Sequence, residues 1–269
     1  MKKKLDKYKK FFDLLSQLKS MFCPGYLKGN LRSFNLISDI IKALYAVLIE
    51  SKKNIVYDLS VVVQNEIEEF FRILGLGELC IFYSNAGAVF AAQQTLFSGV
   101  WWVENKIISD KVSNLSIEIG LIPRFVSAER EERLQNLDFD TMLPSLKSTS
   151  VGFQALISSL VRDTKGNHLA MNEKKIQLNL LPLVPQDKKT LFSLLPKTAI
   201  TIYSQQKQAW VFGTPWKNIW WIEELTDVAI NRRELGLLVC EFPYSLFPVS
   251  SELRISARRL EKIAAQLKP

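Results

Sequence analysis

The sequence predicts an α+β fold made of two tandem copies of a helix-flanked, mostly antiparallel β-sheet domain. The first observation is a repeated pentapeptide, Gly-Val-Trp-Trp-Val at residues 99–103 and Asn-Ile-Trp-Trp-Ile at residues 218–222. The second is a steady spacing, since matching positions such as Glu66 and Asp187 lie roughly 120 residues apart. The third is the order of hydrophobic patterns, in which helical periods flank a run of strand periods in each half. A unit of about 110 residues is a typical domain size.

In the first copy, the hydrophobic period predicts the elements in turn. An apolar stripe at three- to four-residue spacing predicts a helix over residues 35–50. β-Branched residues predict a strand over 55–63, and the helix predicted over 66–74 begins with acidic residues, which suit the positive end of a helix. Turn signals then separate further antiparallel strands, and a charged helix over residues 124–137 closes the copy; the strands are predicted over residues 79–84, 89–96, 100–105 and 116–122.

The second copy repeats this order. A helix is predicted over residues 153–162 and a strand over 175–183. Pro185 begins the next helix, at a position where its missing N–H is not needed. An amphipathic helix over residues 251–267 ends the chain, after strands predicted over residues 199–204, 208–212, 218–225 and 236–242.

These patterns divide the chain into four segments. Residues 1–30 form a basic N-terminal appendage with no counterpart before the second copy. Residues 31–137 are the first repeat and residues 151–269 the second. Between them, residues 138–150 are polar and contain a proline, a composition that is typical of a short interdomain linker.

The paired tryptophans raise the question of what covers them. Successive side chains of a strand point to opposite faces, so each pair sends one indole to either side of its sheet. One indole in each copy then needs a cover beyond its own helix layer. Either the two repeats cover each other, or an aromatic patch remains for a partner, because aromatic residues are enriched in interface cores. The sheet edges offer another possibility, the addition of an extended peptide as a further strand.

The net charge of +8 allows a second class of function. Much of the excess lies in the Lys-rich residues 2–10, and Arg258 and Arg259 lie on the outer face of the last predicted helix. A solvated terminus is the simpler interpretation, because no RNA-recognition or zinc-finger motif accompanies these charges. A basic nucleic-acid-binding or general protein-interaction adaptor remains the alternative.

Little in the sequence points to catalysis, a cofactor or a metal. Cys23, Cys80 and Cys240 are isolated, and His168 is the single histidine, so neither a disulfide framework nor a zinc site is expected. Glu118 stands between two isoleucines of a predicted strand, and we expect it to face solvent. No apolar run approaches the roughly 20 residues that a bilayer requires, and no secretory signal is visible, so we expect a cytoplasmic protein.

Several of these motifs occur together in one known family. Asp58-Leu59 follows a hydrophobic strand, a short helix leads to Leu-Gly-Leu-Gly-Glu-Leu at residues 74–79, and a Gly-hydrophobic-Trp strand starts at Gly99. In this respect the chain resembles the HupH/HyaF/HoxQ family of hydrogenase expression proteins, over residues 34–267 and in two tandem copies. The second copy departs from the pattern, with Leu-Pro-Lys-Thr-Ala at residues 195–199.

The resemblance implies a cytoplasmic, non-catalytic chaperone for nickel–iron hydrogenase assembly that needs no metal of its own. Its expected partner is the precursor of the small, iron–sulfur-carrying subunit before export by the twin-arginine route. Other maturation proteins are further expected partners. For each candidate partner-binding residue, packing in the core is the alternative role; the candidates are Glu78, Phe97, Trp101, Trp102, Trp216, Trp220 and Trp221.

Overall fold

The computed structural model describes residues 31–49, 54–85, 87–107, 113–132, 149–165, 173–227 and 232–267. The predicted appendage (residues 1–30) lies outside these ranges, and so does the predicted linker up to residue 148. Cys23 and His168 lie outside them as well.

Each sequence copy contains the same order of elements. The first copy comprises α1 (Leu31–Ile49), β1 (Ile55–Asp58), α2 (Gln64–Leu74), β2 (Leu79–Ser84), β3 (Ala88–Gln94), β4 (Val100–Ile107), β5 (Ser113–Ile119) and α3 (Arg124–Glu132). The second comprises α4 (Val151–Lys165), β6 (Lys174–Gln177), a 3-10 turn (Leu178–Leu180), α5 (Pro185–Leu194), β7 (Thr201–Ser204), β8 (Ala209–Gly213), β9 (Ile219–Asp227), β10 (Arg232–Val239), a second 3-10 turn (Tyr244–Leu246) and α6 (Ser250–Leu267). The strand pairings are antiparallel, which confirms the predicted α+β class.

The first strand of each copy is shorter than predicted. In the first copy the strand ends at Asp58, whose Oδ1 accepts a hydrogen bond from the Ser60 N–H at 2.9 Å. This local bond turns the backbone, as Asp side chains commonly do. In the second copy the strand ends at Gln177, and the chain continues into the 3-10 turn. The apolar residues beyond these ends therefore belong to turns, although their composition favours strands.

The described residues form two compact units that exchange elements relative to the sequence copies. Unit 1 contains α1, β1, α2, β3, β4, β5 and α6, and unit 2 contains β2, α3, α4, β6, α5 and β7 to β10. The last helix of the second copy therefore belongs to unit 1, and β2 of the first copy belongs to unit 2.

Unit 1 has its strands in the order β1-β5-β4-β3. Helices α1, α2 and α6 bury their apolar stripes in one core. The contribution of α6 consists of Leu253, Ala257, Leu260, Ala264 and Leu267. Tyr45 of α1 donates a hydrogen bond to Glu261 of α6 at 2.9 Å. The C-terminal helix is thus an integral part of this core.

Unit 2 has its strands in the order β2-β7-β8-β9-β10-β6. β2 joins it by pairing with β7, with Leu79 opposite Ser204. Helices α4 and α5 cover a second core that is centred on Trp221 and includes Phe153, Leu191 and Leu195.

An acidic residue near the start of the second helix fixes the start of the first helix in both copies. In the first copy, Arg32 donates two hydrogen bonds to Glu66, each at 2.8 Å. In the second, Asp187 accepts from the Ser150 N–H at 3.1 Å and from the Ser150 hydroxyl at 2.6 Å, while Ser150 Oγ accepts from the Phe153 N–H. Ser150 thereby caps α4. The match between Glu66 and Asp187 in the sequence thus reflects a shared structural role.

Glu118 is buried, so the expectation that it faces solvent is wrong. Ile117 and Ile119 are fully buried on one face of β5, and Glu118 is only 3% exposed on the other. Its Oε1 accepts a hydrogen bond from Asn54 Nδ2 at 3.0 Å, as a buried carboxylate requires. The alternation of residue types predicted two faces, but it did not reveal that both are covered.

Candidate partner-binding site

The four paired tryptophans lie in the protein interior and are at most 1% exposed. Trp102 stacks on Phe71 with ring centroids 3.7 Å apart, and Trp221 stacks on Phe192 at 5.0 Å. On the opposite faces, Trp101 donates to the Gly120 carbonyl at 2.9 Å, and Trp220 meets the Phe242 ring edge-on at 5.5 Å. These contacts are those of core residues.

In the first copy, the backbone of the Leu-Gly-Leu-Gly-Glu motif (residues 74–78) is hydrogen-bonded beside β4, the strand that carries Trp102. We call this arrangement the main-chain dock. Trp102 Nε1 donates to the Gly75 carbonyl at 3.2 Å, and the Gly77 N–H donates to the Gln94 carbonyl at 2.6 Å. Gln93 Nε2 adds a bond to the Gly77 carbonyl at 2.8 Å. The motif is therefore held through its backbone.

The turn between β3 and β4 completes this arrangement. Thr95 Oγ1 both accepts from the Phe97 N–H and donates to the Phe97 carbonyl, each at 3.0 Å. Helix α6 closes over the turn, because Arg259 lies 5.2 Å from the Phe97 ring centroid and bonds the Leu96 carbonyl. Phe97 is consequently buried.

The second copy keeps the geometry despite its different sequence. Trp221 Nε1 donates to the Leu195 carbonyl at 2.6 Å, and the Thr198 N–H donates to the Gly213 carbonyl at 2.8 Å. The Trp216 N–H donates to Thr214 Oγ1 at 3.3 Å, as Phe97 does to its threonine. The two turns also share a left-handed residue, Gly99 with φ 83° and Asn218 with φ 66°, and Gly and Asn are the residues that best tolerate this backbone.

Two of the predicted partner-binding residues are accessible. Glu78 is exposed just before β2. Trp216 is half-buried, and its indole N–H donates to the Leu194 carbonyl at 2.6 Å, which leaves part of the ring at the surface. Phe97, Trp101, Trp102, Trp220 and Trp221 are buried, so their side chains support the fold and offer no surface to a partner.

Exposed aliphatic side chains, which the sequence patterns did not predict, occur at the corresponding turn of both copies. After β1, Val61 is 88% exposed and Val63 is also exposed. After β6, Leu180 is 72% exposed, and Val184 is exposed immediately before α5. We call these four residues the aliphatic turns. The strands predicted through residues 63 and 183 included Val61, Val63 and Leu180, and a strand assignment places alternate residues inside.

The described residues offer little for metal or thiol chemistry. No group of three or more His, Cys, Asp or Glu side chains in the described ranges is placed to hold a metal ion. Cys80 and Cys240 are buried and do not form a disulfide, and burial raises the pKa of the Cys240 thiol far above its usual range. A raised pKa keeps the thiol protonated and unreactive. None of the helices in the described ranges is long and apolar enough to cross a bilayer.

Comparison with known proteins matches both copies to one family model. The model describes the C-terminal conserved region of the HupH hydrogenase expression protein, and it matches residues 33–138 and again residues 151–267. The double match confirms the internal duplication.

Named relatives agree with this match. The chain is 24% identical over 200 residues to the hydrogenase expression/formation protein HupQ of Azotobacter chroococcum mcd 1, covering 73% of this chain and 68% of that protein. It is 22% identical over 246 residues to the hydrogenase expression/formation protein HoxQ of Azotobacter vinelandii, covering 91% and 85%.

A solved structure is also similar in sequence. The hydrogenase expression protein HupH from Thiobacillus denitrificans ATCC 25259 is 24% identical, with a TM-score of 0.31 over 39% of this chain and 92% of that one. The two family-model matches together span most of the chain and confirm the resemblance that its motifs carry. This protein belongs to the HupH family of hydrogenase expression proteins, in a form with two tandem copies of the conserved region.

Proposed function

We propose that this protein is a cytoplasmic, non-catalytic accessory factor in nickel–iron hydrogenase maturation. It holds the precursor of the small, iron–sulfur subunit before twin-arginine export. The observation that carries the proposal is the family match in both copies, supported by relatives that are named hydrogenase expression/formation proteins.

The described surface supports a binding role. Each copy presents two aliphatic side chains to solvent at the corresponding turn, and exposed apolar side chains are candidate contacts for a partner. Main-chain bonds within each turn hold its shape, since the Val62 N–H donates to the Leu59 carbonyl at 3.0 Å and the Leu183 N–H donates to the Leu181 carbonyl at 2.8 Å. The exposed side chains are therefore displayed on a defined backbone. The aliphatic turns are therefore the surface on which we place the precursor.

The predicted partner-binding residues divide into two roles in this proposal. Glu78 and Trp216 are accessible and contact the precursor directly. The five buried aromatic residues support the fold of their units through packing and, for Trp101, Trp102 and Trp221, through indole hydrogen bonds. Substitution of a buried tryptophan would lower the free energy of unfolding and would not isolate binding.

The test is affinity capture of the tagged protein from cells that express the hydrogenase, followed by mass spectrometry. The binding variant is Val61→Asp combined with Leu180→Asp, which places a charge on each copy's turn. The matched control is Val151→Asp, because Val151 is 83% exposed and lies at the start of α4, where an acidic residue suits the helix.

We expect the wild-type protein and the control to capture the small-subunit precursor with its export signal. The double variant should capture at least about tenfold less precursor. Circular dichroism establishes that all three are folded. Capture of nucleic acid in place of the precursor would contradict the proposal and favour the adaptor alternative. Equal capture by the double variant would remove the aliphatic turns from the site.

A further inference from the structure

Strand β1 forms an edge of the sheet in unit 1. It pairs with β5 on one side, and within the described ranges no strand pairs with its other side. The N–H and C=O groups along such an edge can hydrogen-bond to a strand from another chain. The outer side of β1 is therefore a candidate interaction surface.

The register with β5 shows which backbone groups of β1 point outward. The Leu59 N–H donates to the Leu115 carbonyl at 3.0 Å, and Tyr57 lies opposite Ile117 in the same register. In an antiparallel pair, successive residues direct their backbone groups alternately toward the neighbouring strand and away from it. The outward groups are therefore those of the even-numbered residues 54, 56 and 58. None of the described residues hydrogen-bonds to these backbone groups.

This segment of the backbone is held at both ends. At its start, Asn54 Nδ2 donates to Glu118 at 3.0 Å and also to the Ile122 carbonyl. At its end, Asp58 Oδ1 accepts the Ser60 N–H at 2.9 Å. We call residues 54–58 the β1 edge. Because its backbone is already ordered, an added strand would bind with a small entropic cost on this side.

The outer strand of unit 2 differs in its charges. β6 begins with the exposed residues Lys174 and Lys175, which pair with Asp163 and Glu224. Lysine side chains along an outer strand commonly oppose the pairing of edges between molecules. The β1 edge has no lysine, and its one charged residue, Asp58, stands at its end. Protection by lysine is thus a feature of the second copy alone.

The β1 edge is complementary to a second copy of itself. Two antiparallel copies that meet at a twofold axis on Val56 place Val56 opposite its own equivalent. Tyr57 then lies opposite Ile55 of the other copy, and Asp58 lies opposite Asn54. Pairs of β-branched residues, and of an aromatic with a β-branched residue, stabilise sheets, and no like charges face each other. An axis on Asp58 would instead place two carboxylates opposite each other.

We propose that this protein forms a homodimer in which two β1 edges pair antiparallel about a twofold axis at Val56. The outward groups of the two edges form about six backbone hydrogen bonds. The paired segment is short, so we expect a dissociation constant of about 10–100 μM. This inference goes beyond the maturation role and does not rest on it.

Sedimentation of the purified full-length protein, from about 1 μM to 1 mM, measures the association. Val56→Pro is the test variant. Because the Val56 N–H points outward, proline removes this donor and blocks the edge without removing a bond to β5. Val56→Thr is the matched control, since threonine keeps both the N–H and the branched side chain. We expect the wild-type protein and the Thr variant to dimerise, and the Pro variant to associate at least about tenfold more weakly. Circular dichroism establishes that each protein is folded.

A cross-link tests the position of the axis. The axis places residue 56 opposite itself with Cα atoms about 5.5 Å apart, a distance that a disulfide spans. Oxidation by copper phenanthroline and oxygen should link the Val56→Cys variant into dimers at least about tenfold faster than the Val61→Cys variant. Val61 is the matched control position because it is 88% exposed in the same unit and lies outside the β1 edge. Hydrogen exchange of the wild-type protein should also show protection of the residue 56 and 58 amides that increases with protein concentration.

Three results would overturn the inference: a wild-type protein that is monomeric at about 1 mM, equal association of the Pro variant, or equal cross-linking at positions 56 and 61. A monomer whose edge amides are protected only by captured precursor would assign the β1 edge to the precursor and contradict the dimer. The two proposals fail separately. Dimerisation of a protein that captures no precursor contradicts the maturation role alone, and capture by a protein that stays monomeric contradicts the dimer alone.

Discussion

At the scale of single residues, the paired tryptophans show what the alternation of side chains along a strand can predict and what it cannot. The register confirms that neighbouring indoles point to opposite faces, since Trp101 lies opposite Glu118 and Trp102 opposite Ile117. The sequence did not reveal that both faces are covered, because the residues that cover them are distant in the chain. Accessibility therefore separates Glu78 and Trp216 from the other candidates, and only the structure supplies it.

A second residue-scale feature is the close approach at Gly77. A Cβ atom added there would lie 2.3 Å from the Thr95 carbonyl oxygen, which belongs to backbone that cannot easily move. We expect Gly77→Ala to lower the free energy of unfolding by about 2 kcal/mol or more. Gly152→Ala is the control, because the nearest atom there is 3.6 Å away and alanine favours a helix by up to about 1 kcal/mol. Urea unfolding measures both, and equal stabilities of the two variants would contradict this account of the dock.

The buried carboxylate of Asp187 should make the free energy of unfolding depend on pH in the acid range. Burial raises the pKa of its carboxyl, but hydrogen bonds from Ser150 and Val184 outweigh this and lower the pKa below 3.8. The folded state thus favours the ionised form. Its contribution to stability is present above the unfolded pKa and is lost as the pH falls from about 4 through the folded pKa.

We therefore expect wild-type stability to fall more steeply than that of Asp187→Asn between about pH 4 and pH 2. Urea midpoints measured across this range test the expectation. Parallel curves for the two proteins would show that the carboxylate contributes no such linkage.

At the scale of elements, the order and type of the helices and strands were predictable, whereas their ends were not always so. The strand predicted through Val63 ends at Asp58 because one side chain–backbone bond turns the chain, and strand propensity does not register such a bond. The divergent segment of the second copy keeps its role for a related reason. Trp221 bonds the main-chain carbonyl of Leu195, and any residue provides that carbonyl.

Helix α6 is the element whose position the sequence predicted least well. Its amphipathic stripe predicted a buried face, but the repeat pattern gave no sign that this face packs in unit 1. The partner of an amphipathic helix is set by tertiary contacts and not by its own period.

A paired substitution tests this placement. Leu260→Ala removes a fully buried side chain, and we expect a loss of about 2–5 kcal/mol in the free energy of unfolding, with faster hydrogen exchange in α1. Ile255→Ala on the exposed side of the same helix should change stability by no more than about 0.5 kcal/mol. Faster exchange in α4 with α1 unchanged would contradict the packing of α6 in unit 1.

At the scale of the whole molecule, duplication was readable because the spacing between matching residues stays nearly constant along the chain. The family match in both halves confirms it. The surface on which we place the precursor could not be predicted from the sequence, since the tryptophans of the repeated motifs are buried. The exposed residues of the aliphatic turns differ in identity between the copies, Val61 and Val63 against Leu180 and Val184, and carry no motif.

The placement of α6 also has a consequence for how the protein is made. Single domains often fold as they leave the ribosome, the N-terminal one first. Five core side chains of unit 1 lie between Leu253 and Leu267, and the ribosome makes this stretch after all the other described elements of unit 1. The earlier elements of unit 1 therefore wait for α6, and a nascent chain stalled before residue 250 would display an apolar surface that a cellular holdase would have to shield.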